Sequence, residues 1–149
     1  TDAGPKVVEF NCRFGDPEAQ PLLMRMKSDI VPVFQGCARG ELKQDAIDWH
    51  DKAAVCVVMA SGGYPAIYAK NLPITGLGEA AEIEDLMVFH AGTALKDGHI
   101  VNQGGRVLGV TGLGATVREA IEKAYAGVQL IQMDKIHFRH DIGARALNR

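Results

Sequence analysis

Between Val7 and Phe14 apolar and polar residues alternate with period two, the signature of a strand with one face turned to a core. Val8, Phe10, Cys12 and Phe14 fall on the apolar face, and Glu9, Asn11 and Arg13 line the other. Gly15 permits a sharp turn. Asp16-Pro17 then reads as a helix start, with Asp as the cap and Pro at the first helical position, although Pro21 offers a second start. Leu22, Leu23, Met26 and Ile30 recur at helical spacing. Ser28 is a candidate cap for a second helical piece bearing Val31, Phe34, Cys37 and Ala38, which Gly40 ends. Glu41 to Asp51 is polar apart from Leu42, Ala46, Ile47 and Trp49 and marks a junction between two modules, with Trp49 as a lid on a core edge.

From Lys52 the pattern changes to short strands. Ala53 to Ala60 is a near-continuous apolar run, as a central strand requires, and Ser61-Gly62-Gly63-Tyr64-Pro65 breaks it. Ile67–Ala69 and Ile83–Met87, continued by Val88-Phe89-His90, are further candidates. Lys96-Asp97-Gly98-His99 predicts a hairpin turn, and Arg106 to Thr111 another strand. Thr116-Val117-Arg118-Glu119 forms a capping box before a helix that buries Val117, Ile121, Ala124, Val128 and Ile131. The expected fold class is α+β, with an antiparallel sheet of about four strands and a helix packed on one side. Gly76-Leu77-Gly78 and Gly112-Leu113-Gly114 lack the flanks of a nucleotide-binding loop and read as turns.

Composition narrows the function classes. The chain has 149 residues, 47% hydrophobic and 23% charged, with a mean hydropathy of −0.01. A net charge of −2 and a pI near 6.2 supply no global field for nucleic acid or an anionic membrane. With no bilayer-length apolar run and no signal-peptide pattern, the expected location is cytoplasmic. Cys12, Cys37 and Cys56 fit no zinc or disulfide framework and read as buried reduced thiols. The chain opens on Thr1, and Asp2-Ala3-Gly4-Pro5 is turn chemistry with no strand before it. It reads as the C-terminal part of something longer.

The polar face of the first strand carries the candidate chemistry. Alternate residues on a strand lie about 6.5–7 Å apart, so their tips can converge on one ion or phosphate. The Glu9 carboxylate and Asn11 carboxamide offer the oxygen ligands that hard cations such as magnesium prefer. The Arg13 guanidinium suits a phosphate or carboxylate, or a salt bridge to Glu9. Alternation alone describes an ordinary amphipathic strand equally well. Further on, Gly104-Gly105-Arg106 reads as a glycine-rich turn with a solvent-facing cation, or as a grip on a phosphate. His137 and His140 lack further ligands nearby, and His50, His90 and His99 stand alone.

The run Glu9-Phe10-Asn11-Cys12-Arg13-Phe14-Gly15-Asp16-Pro17-Glu18 resembles the glycinamide ribonucleotide synthetases (phosphoribosylamine–glycine ligases), within the ATP-grasp superfamily. His90-Ala91-Gly92-Thr93, Asn102 to Leu108 and Phe138 to Leu147 resemble later blocks of the same family in the same order, so the likeness covers nearly the whole chain. It implies that residues 1–45 are the tail of an ATP-grasp domain and 46–149 a C-terminal α+β domain. It also implies ATP and magnesium, with manganese as an alternative, and glycine and phosphoribosylamine as substrates. Glu9 and Asn11 would hold the metal beside the nucleotide. Arg13 would assist the phosphoryl group, and Gly105 and Arg106 would bind the substrate phosphate. Arg139, Asp141 and Arg145 read as ties for the C-terminal segment rather than as a lining for glycine. The chain lacks the family's glycine-rich lid and ATP lysine, so activity is expected only with the rest of the ligase. The rival expectations are another ATP-grasp carboxylate–amine ligase, or a non-catalytic assembly module of a multifunctional chain.

Overall fold

A computed structural model describes residues 1–43 and 47–147. The expected junction between residues 45 and 46 lies outside the described residues. The architecture from Ala53 onward is the α+β unit expected. Strands β1 (Ala53–Ser61), β2 (Leu86–His90), β5 (Arg106–Gly114) and β6 (Ile136–His137) form one antiparallel sheet in the order β2-β5-β1-β6. β1 and β5 pair from Ala53↔Gly114 to Met59↔Leu108, after which a bulge shifts the register so that Ala60 faces Arg106. β3 (Thr93–Lys96) and β4 (His99–Asn102) form a separate hairpin. It closes through Asp97 and Gly98, both at positive φ, as a two-residue turn demands.

Helix α4 (Val117–Leu130) covers one face of the sheet. Val55, Val57, Met59, Leu86 and Val110 gather there with Ala120, Ala124 and Val128 in a single core. The small residues matter. A Cβ on Gly112 would lie 2.7 Å from the Ala124 amide nitrogen and 2.8 Å from the Ala120 carbonyl oxygen. Gly112-Leu113-Gly114 is therefore the end of β5, not a turn, because bare backbone lets α4 approach the sheet. The helix starts at Thr116, whose hydroxyl accepts from the Glu119 amide at 3.2 Å, while the Glu119 carboxylate accepts from Ala115 N at 2.9 Å. The capping box thus closes one residue further out than its usual form.

On the opposite face lies α1 (Ala19–Arg25), whose Gln20 approaches the sheet beside Gly109. This helix buries no residue, and its N-cap is Glu18 without a side-chain bond, so Asp16 is not the cap. α2 (Ile30–Arg39) begins at Asp29, whose side chain accepts from Val31 N at 2.9 Å, and ends at Gly40 with φ 70°. Ser28, expected as that cap, instead accepts from Asp48 N at 2.6 Å. Arg25 lies 6.0 Å from the ring centre of the half-exposed Trp49. α3 (Leu77–Ala81) starts at Gly76, so Gly76-Leu77-Gly78 opens a short helix. Residues 67–69 form no strand.

The main departure is at the start. Residues 5–14 are neither helix nor strand and make no backbone hydrogen bond among the described residues. Val8 is 96% and Phe10 84% exposed, so their expected core side faces solvent. Alternation marks a segment that can be half-buried, but a strand also needs a neighbouring ladder for its N–H and C=O groups. No described strand pairs with it, and its nearest ring contact is Phe14 with Phe34 of α2 at 6.3 Å between centroids. Cys12 is exposed for the same reason, and Cys37 is exposed because α2 buries only Val33; of the three free thiols only Cys56 is partly covered.

Candidate functional site

The sequence-predicted residues fall into two groups joined at one point. In the first, the Asn11 carboxamide donates to Glu9 Oε1 at 3.1 Å, so the two side chains converge despite the missing strand. Arg13 lies next along the same exposed segment. Its Nη1 donates to the Phe14 carbonyl at 2.9 Å, and no Glu9–Arg13 ion pair is present among the described residues. A carboxylate and a carboxamide held side by side in solvent fit a magnesium or manganese ion. No group of three or more His, Cys, Asp and Glu that could hold a metal occurs among the described residues. The pair is therefore suited to a cation whose other ligands come from elsewhere, such as a nucleotide's phosphates.

The second group surrounds the start of β5. Gly105 is buried, and a Cβ there would run into the Tyr64 ring, so the bare backbone is needed for the tyrosine. The Gly105 carbonyl accepts from Ser61 N at 2.8 Å, whereas its N–H has no acceptor among the described residues. Gly104 and Gly92 backbones touch, with Gly104 N donating to Gly92 O at 3.0 Å. Beneath this turn the fully buried Asn102 donates to Ser61 Oγ at 2.8 Å and Ala69 O at 2.7 Å, and accepts from Leu72 N at 2.8 Å. Ser61 Oγ in turn donates to Gly104 O at 2.9 Å. This satisfied network fixes the Gly104-Gly105 turn. An Asn ending the apolar run Ile100-Val101 was the sequence signal for it.

Asp16 links the groups. Its carbonyl accepts from Arg106 Nη1 at 2.8 Å, its Oδ2 lies 3.3 Å from Arg106 Nη2, and its Oδ1 accepts from Gln20 Nε2 at 3.0 Å. Its negative charge also reaches the neighbouring thiol. Burial pushes Cys56 upward, the Thr111 hydroxyl opposes that shift, and the Asp16 charge adds to it. Reading Asp16-Pro17 as a helix cap concealed this linking role.

A cavity of about 480 Å³ lies apart from these groups, lined by Arg139, Asp141, Ile142, Gly143, Ala144, Arg145 and Ala146. Arg139 grips Asp141 with two bonds of 2.9 and 2.7 Å, and this hydrogen-bonded partner holds the Asp141 carboxyl below its ordinary range. The segment is tied down by a residue that sequence reasoning missed. Tyr125 donates to Arg139 O at 2.6 Å and accepts from Ile142 N at 3.1 Å.

Residues 54–145 match the family model described as phosphoribosylglycinamide synthetase, C domain. The chain is 51% identical to the phosphoribosylamine–glycine ligase of Rhodopirellula baltica over 99% of its length, and 51% identical to that of Escherichia coli O157:H7 over 97%. It covers 34% of each of these relatives. A crystal structure of the Thermotoga maritima phosphoribosylamine–glycine ligase superposes with a TM-score of 0.76 at 34% identity, over 94% of this chain and 34% of that one. The chain thus spans about a third of the length of the relatives it matches.

Proposed function

Because the chain belongs to the phosphoribosylglycinamide synthetase C-domain family, we propose that it supplies part of the site of a cytoplasmic phosphoribosylamine–glycine ligase of purine synthesis. The observation that carries this reading is the extent of the likeness. Similarity to the Rhodopirellula baltica ligase runs over 99% of the chain, beyond the residues 54–145 of the family model. On this reading residues 1–45 are the tail of an ATP-grasp domain and residues 46–149 the C-terminal domain.

The reaction has two stages. The γ-phosphoryl group of ATP passes to the glycine carboxylate with release of ADP, and the amine of phosphoribosylamine then displaces phosphate from the glycyl phosphate. The products are glycinamide ribonucleotide, ADP and phosphate. Glu9 would hold the divalent cation through its carboxylate and Asn11 through its carboxamide oxygen, once the amide N–H now bonded to Glu9 Oε1 turns away. A magnesium ion held there would supply Lewis-acid stabilisation of the charge that develops during phosphoryl transfer. Arg13, next on the exposed segment, meets a phosphoryl or carboxylate oxygen with a charge-assisted bond. The free Gly105 N–H and the Arg106 guanidinium face the sugar phosphate of phosphoribosylamine. The rest of the ligase supplies the remaining contacts to ATP.

Magnesium titration of the ligase carrying this chain tests the assignment. Glu9→Gln and Asn11→Ala should each lower turnover steeply at ordinary magnesium and recover in part at high magnesium. Both side chains are exposed, so stability should change by no more than about 0.5 kcal/mol. Normal turnover of both variants at ordinary magnesium contradicts the metal assignment.

A further inference from the structure

We propose that Asp16 is a positioning residue that aims the Arg106 guanidinium and pins the Glu9–Arg13 stretch to the sheet at the same point. The proposal rests on the reading of Arg106 as the substrate-phosphate ligand. All three oxygens of Asp16 are committed: the carbonyl and Oδ2 to Arg106, and Oδ1 to Gln20. Arg106 is itself anchored at the start of β5, where its carbonyl accepts from Gly92 N at 2.9 Å and Val107 next to it is fully buried. One end of the link is therefore rigid.

The other end has a ring contact, Phe14 with Phe34 of α2 at 6.3 Å between centroids, and few directional restraints. Residues 5–14 make no backbone hydrogen bond among the described residues, and α1 buries no residue. The fork of Arg106 closing on a carbonyl and a carboxylate oxygen is thus the directional contact that sets where the preceding stretch leaves the sheet. Both side chains are about 40% exposed, at 43% and 42%. An ion pair so accessible contributes to orientation more than to global stability. A planar guanidinium with Nη1 and Nη2 turned to Asp16 keeps other N–H groups, which then point in a fixed direction. Asp16 thereby couples the metal-binding stretch and the phosphate grip as one frame.

Steady-state kinetics of the ligase carrying this chain separate this role from simple ligation. Arg106→Ala should raise the KM for phosphoribosylamine roughly ten- to hundred-fold, the worth of one charge-assisted bond to phosphate. Asp16→Ala should reproduce most of that rise and, because the Glu9–Arg13 stretch is no longer pinned, should like Arg106→Ala also raise the magnesium concentration needed for half-maximal turnover. The double variant should be no worse than Arg106→Ala, because both changes remove one unit. Asp16→Asn has the same shape and keeps one side-chain oxygen, for either Gln20 or Arg106, so it isolates the lost charge from lost packing and should show a smaller rise of the same kind. If Arg106→Ala is impaired and both Asp16 variants bind phosphoribosylamine normally, or more tightly because the guanidinium is released, the positioning role is overturned while the ligase reading stands. Additive losses in the double variant overturn it as well. A normal KM in Arg106→Ala contradicts the substrate role of Arg106, and this proposal with it.

Discussion

Asp85 shows how far one residue's surroundings can be read. It sits at φ 63°, between β1, β2 and α4, and accepts from Lys52 Nζ at 2.7 and 2.8 Å and from Lys123 Nζ at 3.0 Å. The Lys52 bond first, then the Lys123 bond, hold its carboxyl below the ordinary 3.8. A depressed folded pKa adds stability that is complete above the unfolded value and is lost as pH falls through the folded one. Asp85→Asn should therefore cost about 1 kcal/mol at neutral pH, allowing for the partial exposure of both lysines. Asn tolerates the left-handed backbone, so the change isolates the charge. The gap between parent and variant in chemical denaturation should close as pH drops below 3.8, and a gap that persists there argues against the ion triad. Nothing local in the sequence marks this cluster, since Lys52, Asp85 and Lys123 come from three separate segments. Glu9 and Asn11, by contrast, were legible because their pairing is local, two residues apart.

Among the elements, the strand–helix packing was legible in outline and not in detail. Apolar runs gave β1 and β5, the Asp97-Gly98 turn gave the hairpin, and Thr116 gave the start of α4. The two glycines at the end of β5 read locally as a turn, because a sequence does not show which backbone another element must touch. That contact makes a prediction. Gly112→Ala places a Cβ 2.7–2.8 Å from α4 backbone atoms, which cannot yield without moving the helix, and should cost about 1–3 kcal/mol. Gly109→Ala meets the Cys56 sulfur at 3.3 Å and Gln20 side-chain atoms at an ordinary 3.7 Å, and should cost less than half as much. Paired thermal melts check the order, and equal shifts would contradict this packing. The Val7–Phe14 stretch failed for a different reason. Its alternation was real, but pairing depends on a neighbour that the pattern itself does not contain.

The molecule as a whole joins a compact sheet–helix unit to a stretch that carries the proposed metal ligands Glu9 and Asn11 with few restraints. Hydrogen exchange on the chain should be slow in β1, β5 and α4 and fast in residues 5–14. Protection of that stretch equal to the core would contradict the arrangement. The chain by itself should neither hydrolyse ATP nor form glycinamide ribonucleotide, because phosphoryl transfer depends on phosphates held from several sides. The most direct measurement is a replacement assay. This chain is substituted for the matching third of the Escherichia coli O157:H7 ligase, and ADP release dependent on both glycine and phosphoribosylamine is followed. The account predicts ligase activity in the hybrid and its steep loss in the same hybrid carrying Glu9→Gln. A folded hybrid without activity, or a Glu9→Gln hybrid as active as its parent at ordinary magnesium, would contradict it.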